Sequence, residues 1–321
     1  MKRVVLTGGA GFIGSHVVEE LKKKNYDVCV IDNLSKRESK LIKDIEFVKL
    51  DLTREKQTIR ALKNCDYIIH LAAKIGGIGY FHKYPATIIS ENNKINSSVF
   101  NAAAKNNVKR IVYVSSSMVF ESTKKFPSKE EDIYKIPPPK TAYGFSKLSG
   151  EYYCKAFKEE FNLNYTIIRP FNAYGINEYP GEEVGYAHVI PDLIKKILKN
   201  QYPLEILGDG KQIRCFTHVK DIARGIVLAM KHKKAENNDF NLSSDEPIRI
   251  IDLAKKLWSI SNVKKQFKVK FVPGFKHDIK KRIPSIEKAK KVLGWEAKIR
   301  LDDGLKEVFE WLKEKHQRGE V

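Results

Sequence analysis

The chain is poor in cysteine, methionine and tryptophan, with four, three and three of them in 321 residues. Cys29, Cys65, Cys154 and Cys215 stand far apart, with no CxxC pair. That spacing argues against a disulfide framework or a zinc cluster; a reducing, cytoplasmic setting and no metal are expected. No window approaches the roughly 20 apolar residues that span a bilayer, so no membrane association is expected. The first residues, MKRVVLTGG, hold a short apolar run cut by glycines, unlike a signal peptide. Acids are scarce beside bases: 39 Asp+Glu face 59 Lys+Arg, for a formal net charge of +20. The basic residues nevertheless form only pairs and triples such as LKKKN and KHKK. A nucleic-acid footprint clusters its cations, so no nucleic-acid partner is expected, and the basic background favours a small anionic substrate.

Internal repeats and low-complexity linkers are absent as well. At 42% hydrophobic the chain can bury a sizeable core, as one large domain or two unequal ones. RVVLTGG reads as a short strand ending in glycines, IGSHVVEELKKKN as an amphipathic helix and DVCVIDN as a second strand. IEFVKLDL, CDYIIHLAA, RIVYVSS and YTIIRPFN repeat the theme, with helix-like segments such as SSVFNAAAKNN between them. Continuous apolar strands alternating with helices predict a parallel sheet covered on both faces, running to about residue 172. Beyond it, PLEILGDGKQIRCFTHV predicts a hairpin turning at Gly208-Asp209-Gly210. HVIPDLIKKILKN, DIARGIVLAMKH and IIDLAKKLWSI predict helices, and DFNLSS predicts a return to the sheet. The fold class expected is α/β, a Rossmann-type doubly wound parallel sheet with a smaller interleaved α+β lobe.

TGGAGFIGSH follows the first strand and opens the first helix, with Gly8, Gly11 and Gly14 in a phosphate-cradling pattern. Asp32 ends the second strand, 18 residues after Gly14. A carboxylate there accepts hydrogen bonds from an adenosine ribose and repels a 2′-phosphate, so NAD is favoured over NADP. Its neighbours are Asn33 and Leu34, and Arg37 is the one nearby arginine.

TAYGFSKLSGE places Tyr143 and Lys147 four residues apart, on one face of a helix. For a phenol of pKa near 10, working as a base near pH 7 costs roughly 4 kcal/mol. One unit charge about 4 Å away, in an effective dielectric of ~20, supplies a similar amount. Lys147 and a cationic nicotinamide are therefore expected to make Tyr143 acidic. Upstream, VSSSMVF ends a strand in three hydroxyls followed by a methionine, which raises the question of what Ser115, Ser116 and Ser117 touch.

Taken together, the glycine loop, Asp32, KLDLT, HLAA at 70–73, the Asn92 helix, the serine strand, Tyr143/Lys147, RPFNAYG, HVIP, RCFTHVKDIA and KAKKVLGW resemble the extended short-chain dehydrogenase/reductase superfamily. The likeness spans almost the whole chain and points to its NAD-dependent nucleotide-sugar epimerases. It implies an NAD-binding domain over 1–172, which also receives parts of about 215–258, and a mainly nucleotide-sugar-binding lobe over 173–321. It implies a cofactor site of Gly8, Gly11, Phe12, Ile13, Gly14, Asp32, Asn33, Asp51, Leu52, Leu71, Ala72, Ala73, Lys74, Asn92, Tyr143, Lys147 and Pro170. A substrate site of Gly77, Ser116, Asn172, His188, Val189, Arg214 and Arg282 is implied too, with the arginines on phosphate oxygens. The family's catalytic hydroxyl lies three residues before a VY pair; the pair here is Val119-Phe120, which assigns Ser116 to the catalytic set with Tyr143 and Lys147. The resemblance also implies a homodimer through helices near 92–106 and 143–161.

Three reactions compete. Dehydratases of the superfamily carry Asp-Glu directly after the catalytic hydroxyl, where this chain has Ser117 and Met118. HLAAKIGGIGYFHKYP resembles the GDP-sugar branch, GDP-mannose 3,5-epimerase and GDP-fucose synthase, and His188 falls where the synthase has an acid. Those enzymes also use a cysteine at the position of Met118, and a thioether exchanges no proton. Inversion at C4, as in UDP-galactose 4-epimerase, needs only Ser116, Tyr143, Lys147 and NAD, all accounted for. The expected activity is therefore C4 epimerisation of a UDP- or GDP-linked hexose. The alternatives are 3,5-epimerisation or epimerisation with reduction, then 4,6-dehydration, and outside enzymology an NAD-sensing regulatory protein.

Overall fold

The computed structural model describes residues 1–36, 39, 42–183, 186–275 and 279–321. Its first half alternates strand and helix: β1 (Arg3–Thr7), α1 (Phe12–Lys23), β2 (Asp27–Asp32), β3 (Glu46–Lys49), α2 (Glu55–Ala61), β4 (Tyr67–His70), α3 (Ile78–Lys83), α4 (Pro85–Lys105), β5 (Arg110–Val114), α5 (Ala142–Phe161) and β6 (Tyr165–Pro170). Then follow β7 (Ala173–Tyr174), α6 (Val189–Leu198), β8 (Leu204–Leu207), β9 (Ile213–Cys215), β10 (Thr217–His218), α7 (Val219–Lys231) and β11 (Asn238–Leu242). The last elements are β12 (Pro247–Arg249), α8 (Ile250–Ile260), β13 (Val269–Val272), β14 (Lys281–Arg282) and α9 (Leu301–Gln317).

Seven strands form one sheet in the order β11-β6-β5-β4-β1-β2-β3, every pairing parallel. Alternate residues of each strand feed opposite faces, so a parallel sheet needs two apolar coats. Val4 and Leu6 pack with Val17, Val18 and Leu21 of α1 and Ile222, Ile226 and Met230 of α7. Val5, Ile68, Ile111 and Tyr113 pack with Val99, Phe100 and Ala103 of α4 and Cys154 of α5. Each large side chain fully buried this way contributes about 1.5–3 kcal/mol. Helix α5 lies so close to β5 that a methyl on Gly150 would meet the Tyr113 hydroxyl at 2.0 Å. Strand order reverses between β1 and β4, which places a crevice at their carboxyl ends.

The segment DFNLSS does return to the sheet, as β11 beside β6. A smaller lobe packs Ile190, Leu193, Ile194 and Ile197 of α6 with Leu204 and Ile206 of β8, Leu253 and Leu257 of α8, and Leu305, Val308 and Phe309 of α9. The hairpin expected around Gly208-Asp209-Gly210 does not form. β8 pairs in parallel with β13, whereas β9 lies between β12 and β14. Gly208 and Gly210, at φ +72° and +69°, swing the chain from one small sheet into the other instead of folding it back on itself. β9 thereby lines the crevice with Arg214 directly opposite Arg282 of β14.

Candidate functional site

The crevice is one cavity of about 540 Å³, running from the glycine loop past the tips of β1, β4 and β5 to α6, β8 and β9. At its first end Gly8 sits at φ +74°, and a methyl on it would come 2.7 Å from the Ala72 nitrogen. A methyl on Gly14 would meet the Gly8 carbonyl at 2.2 Å, so the loop closes on α1 only with hydrogen there. Gly11 caps α1 without a side chain, and the first turn of the helix holds no acid. Gly11, Phe12, Ile13 and Gly14 therefore turn a bare positive helix end toward the cavity, a cradle that fits a pyrophosphate. Asp32 accepts from the Ala10 nitrogen at 3.1 Å and the Leu34 nitrogen at 2.9 Å, which orients its carboxylate at the cavity edge beside Asn33. Asp51 accepts from the backbone and hydroxyl of Thr53 at 3.0 and 2.8 Å, and the backbone bond above all holds its carboxyl below the usual range. Leu52 lines the wall beside it. This end has the shape and polarity for an adenine dinucleotide. Arg37 lies outside the described residues.

Leu71, Ala72, Ala73 and Lys74 continue the lining beyond β4. Beneath them His70 is fully buried; Thr7 and Asn96 bond its two nitrogens, and burial pushes it down to about 3, so it stays neutral. Asn92, expected at the cofactor, stands further back. It does not line the cavity but is buried behind it, accepting from the Lys74 nitrogen at 2.6 Å and donating to the Lys74 carbonyl and the Ser146 hydroxyl. Helix α4 carries it there, so its place is to pin the loop that faces the cofactor end.

The serine triplet separates into three environments. Ser115 donates to Glu151 at 2.6 Å, and Glu151 also receives a two-pronged fork from Arg169 at 2.8 and 2.7 Å. Ser117 accepts from Arg282 at 3.3 Å. Ser116 accepts from the Met118 nitrogen at 3.2 Å, capping a short 3₁₀ turn, and its hydroxyl is close enough to the Tyr143 phenol to favour the phenolate. Of the three, Ser116 is the one beside Tyr143.

Tyr143 and Lys147 both line the cavity, and their surroundings differ. Burial pushes the Tyr143 phenol well above its ordinary range, and the opposing pulls come from Ser116 and the charge of Arg282. Lys147 instead turns its ammonium onto the Val114 carbonyl at 2.8 Å and over the Tyr113 ring at 5.3 Å. Burial drives it down to about 8, with Glu151 resisting. Position i+4 put both residues on one face, but the last carbonyl of β5 is the nearer acceptor for the lysine.

Met118 packs with Tyr143, Phe81 and Ile88. Its sulfur accepts from Arg282 at 2.9 Å, and Arg282 also donates to Asn172 at 3.3 Å. Asn172 holds φ +38° and donates to the Cys215 carbonyl at 2.9 Å. Pro170, Gly77, Val189 and Arg214 complete the lining, with Arg214 donating to the Ile213 carbonyl at 3.0 Å. His188, half exposed at the head of α6, hydrogen-bonds the buried carboxylate of Glu178. Sequence reasoning missed Glu178, which stands in an otherwise unremarkable loop, and Phe81, whose segment GGIGYFHK was read only for its glycines. It also missed Glu151, visible only as a polar position on the inner face of α5. Among the described residues no group of three or more His, Cys, Asp or Glu could hold a metal ion. No described helix is long and apolar enough to cross a membrane.

Comparison with known proteins agrees with this arrangement. A family model described as "NAD dependent epimerase/dehydratase family" matches residues 4–243. The UDP-N-acetyl-alpha-D-glucosaminuronate decarboxylase of Bacillus cytotoxicus is 30% identical over 98% of both chains. The GDP-mannose 3,5-epimerase 1 of Oryza sativa subsp. indica is 28% identical, covering 98% of this chain and 83% of its own. The crystal structure of the UDP-glucose 4-epimerase of Thermotoga maritima with UDP-glucose superposes with a TM-score of 0.88 at 33% identity, over 98% and 99% of the two chains.

Proposed function

The chain belongs to the NAD-dependent epimerase/dehydratase family, and on that premise we propose that it inverts the C4 hydroxyl of a nucleoside-diphosphate hexose, UDP- or GDP-linked. The glycine cradle, Asp32 and Lys147 would hold NAD, which would supply the hydride acceptor and donor for passage of the sugar through a 4-keto state. The chain's own residues handle position and protons. Tyr143 takes the proton from the 4-hydroxyl and later returns it, and Ser116 bonds the same oxygen. Burial alone would keep the phenol protonated, and Ser116 and Arg282 oppose that in the direction a base requires. Arg214, Arg282 and Asn172 offer donors for the diphosphate. An anchor at that end leaves the hexose free to present its other face.

The observation that carries this reading is Met118. It stands against Tyr143 with its sulfur engaged by Arg282, at the position where 3,5-inversion or dehydration needs a proton-exchanging group. The 3,5-epimerase reading has one observation of its own, the His188–Glu178 pair in the cavity wall. NMR of the purified protein with UDP- and GDP-hexoses in deuterated water separates the two. Inversion at C4 without label is the expected result; deuterium at C3 or C5 overturns it in favour of the second reading. A homodimer belongs to the same proposal, supported by Phe145 and Tyr152, two turns apart on α5 and 43% and 61% exposed.

A further inference from the structure

Phe81 stacks on Tyr143 with ring centroids 4.5 Å apart and planes 8° apart. Both rings are buried, at 9% and 4% exposure, and both line the cavity. Phe81 rides on α3, a six-residue helix that is itself fixed from outside the sheet. The Gly77 nitrogen donates to the Tyr186 carbonyl at 2.9 Å. Tyr80 meets the Tyr186 ring edge-on at 5.8 Å, and His82 stacks on Phe275 at 5.8 Å. Gly76 abuts Tyr80 so closely that a methyl would come within 2.6 Å. Helix α3, and the stack with it, is therefore held by contacts from two separated segments, at Tyr186 and Phe275.

We propose that Phe81 is a positioning residue for Tyr143, fixing the plane of the phenol and closing one of its faces to water. The proposal rests on the reading of Tyr143 as the proton-exchanging group. Around Tyr143, Ser116 supplies a hydroxyl, Arg282 of β14 a charge, and Ile88 of α4 and Met118 apolar surface, with Ile75, Tyr80 and Ile279 packed against the same cluster, while Lys147 of α5 points its ammonium at Val114. One face of the ring is covered by Phe81. A general base works only when its oxygen is aimed at the proton it takes, and small misplacements are costly. A parallel stack of this kind limits tilt of the ring without adding a polar group to the pocket.

The test uses the NAD-containing protein with UDP-glucose and GDP-mannose as probes, and the variants Phe81→Ala, Phe81→Leu and Phe81→Tyr. Phe81→Ala should lower kcat on the order of 10²-fold, with KM little changed. It should also move the acid limb of the kcat–pH profile to lower pH, because water reaching the phenol stabilises the phenolate. Phe81→Leu keeps the face dry, so it should lose rate and leave the limb in place; Phe81→Tyr should restore both. Ring-labelled tyrosine NMR, with Tyr143 assigned from Tyr143→Phe, should show its ring-current displacement lost in Phe81→Leu and regained in Phe81→Tyr, which also verifies folding. Unchanged kcat in Phe81→Ala, an unmoved limb, or a loss confined to KM overturns the proposal. A wild-type protein that inverts neither probe nor any other nucleoside-diphosphate hexose overturns the functional reading itself, and this assignment with it.

Discussion

Replacing Lys147 by methionine should strengthen the fold at neutral pH while abolishing turnover. The ammonium is fully buried, and burial takes it from an ordinary 10.5 down to about 8. At about 1.4 kcal/mol per pH unit, holding the charge inside costs the native state about 3 kcal/mol at pH 7. Methionine fills similar space without charge but gives up the bond to the Val114 carbonyl, worth about 1 kcal/mol or somewhat more. The net expectation is a gain of about 1–2 kcal/mol at pH 7. The sign reverses with pH. Below pH 8 both native and unfolded chains bind the proton, and the wild type bears the full cost. Between 8 and 10.5 only the unfolded chain still binds it, so wild-type stability rises and the cost fades. Above about 10.5 only the lost hydrogen bond remains, and the variant should be the weaker protein by about 1 kcal/mol. Urea unfolding followed by far-ultraviolet circular dichroism at pH 7, 8.5 and 10.5, at matched NAD content, reads the difference directly. A variant destabilised at pH 7, by an amount that does not change with pH, would refute the reasoning.

Tyr143→Phe should reduce turnover by about 10²- to 10⁴-fold and leave NAD bound, as read from nucleotide content; undiminished activity removes the phenol from the mechanism. Glu151→Ala should cost about 3–5 kcal/mol in urea unfolding, because Arg169 then sits buried with Asp239, at 2.8 Å, as its one carboxylate partner left among the described residues. A loss under about 1 kcal/mol would mean that Asp239 alone satisfies that charge. Asn92→Ala should weaken NAD binding about tenfold by calorimetric titration, through loss of its bonds to the Lys74 backbone. Unchanged affinity would show that the loop holds itself in place.

The layout of the large sheet was legible because its signals are local. Four or five consecutive apolar residues, a glycine turn and an amphipathic run specify strand, turn and helix within about 25 residues of chain. Gly8, Gly14 and Asp32 were readable for the same reason, since the backbone geometry they serve lies between adjacent elements. The hairpin at 204–218 was misread because strand partners are chosen by long-range packing. The glycines told of a turn, not of the two different sheets on either side of it. That Asn92 lies behind the cavity wall, bonded to the Lys74 backbone and Ser146, was not legible, since the helical pattern does not say whether a polar side chain stops at the loop or passes beyond it.

By itself the sequence determined the fold class, and its strand and turn signals set the glycine loop, Asp32, Ser116 and Tyr143 along one cavity at the end of the sheet. It could do so because each depends on short-range geometry and on the type of residue present. Tertiary structure decided what those groups experience. It turned Lys147 onto Val114 and set Arg282 between Met118 and Asn172. It also tied Ser115 to a buried ion pair and laid Phe81 flat on Tyr143. Proton affinity and orientation depend on neighbours within a few ångströms, and those neighbours come from segments as far as 165 residues apart in the chain.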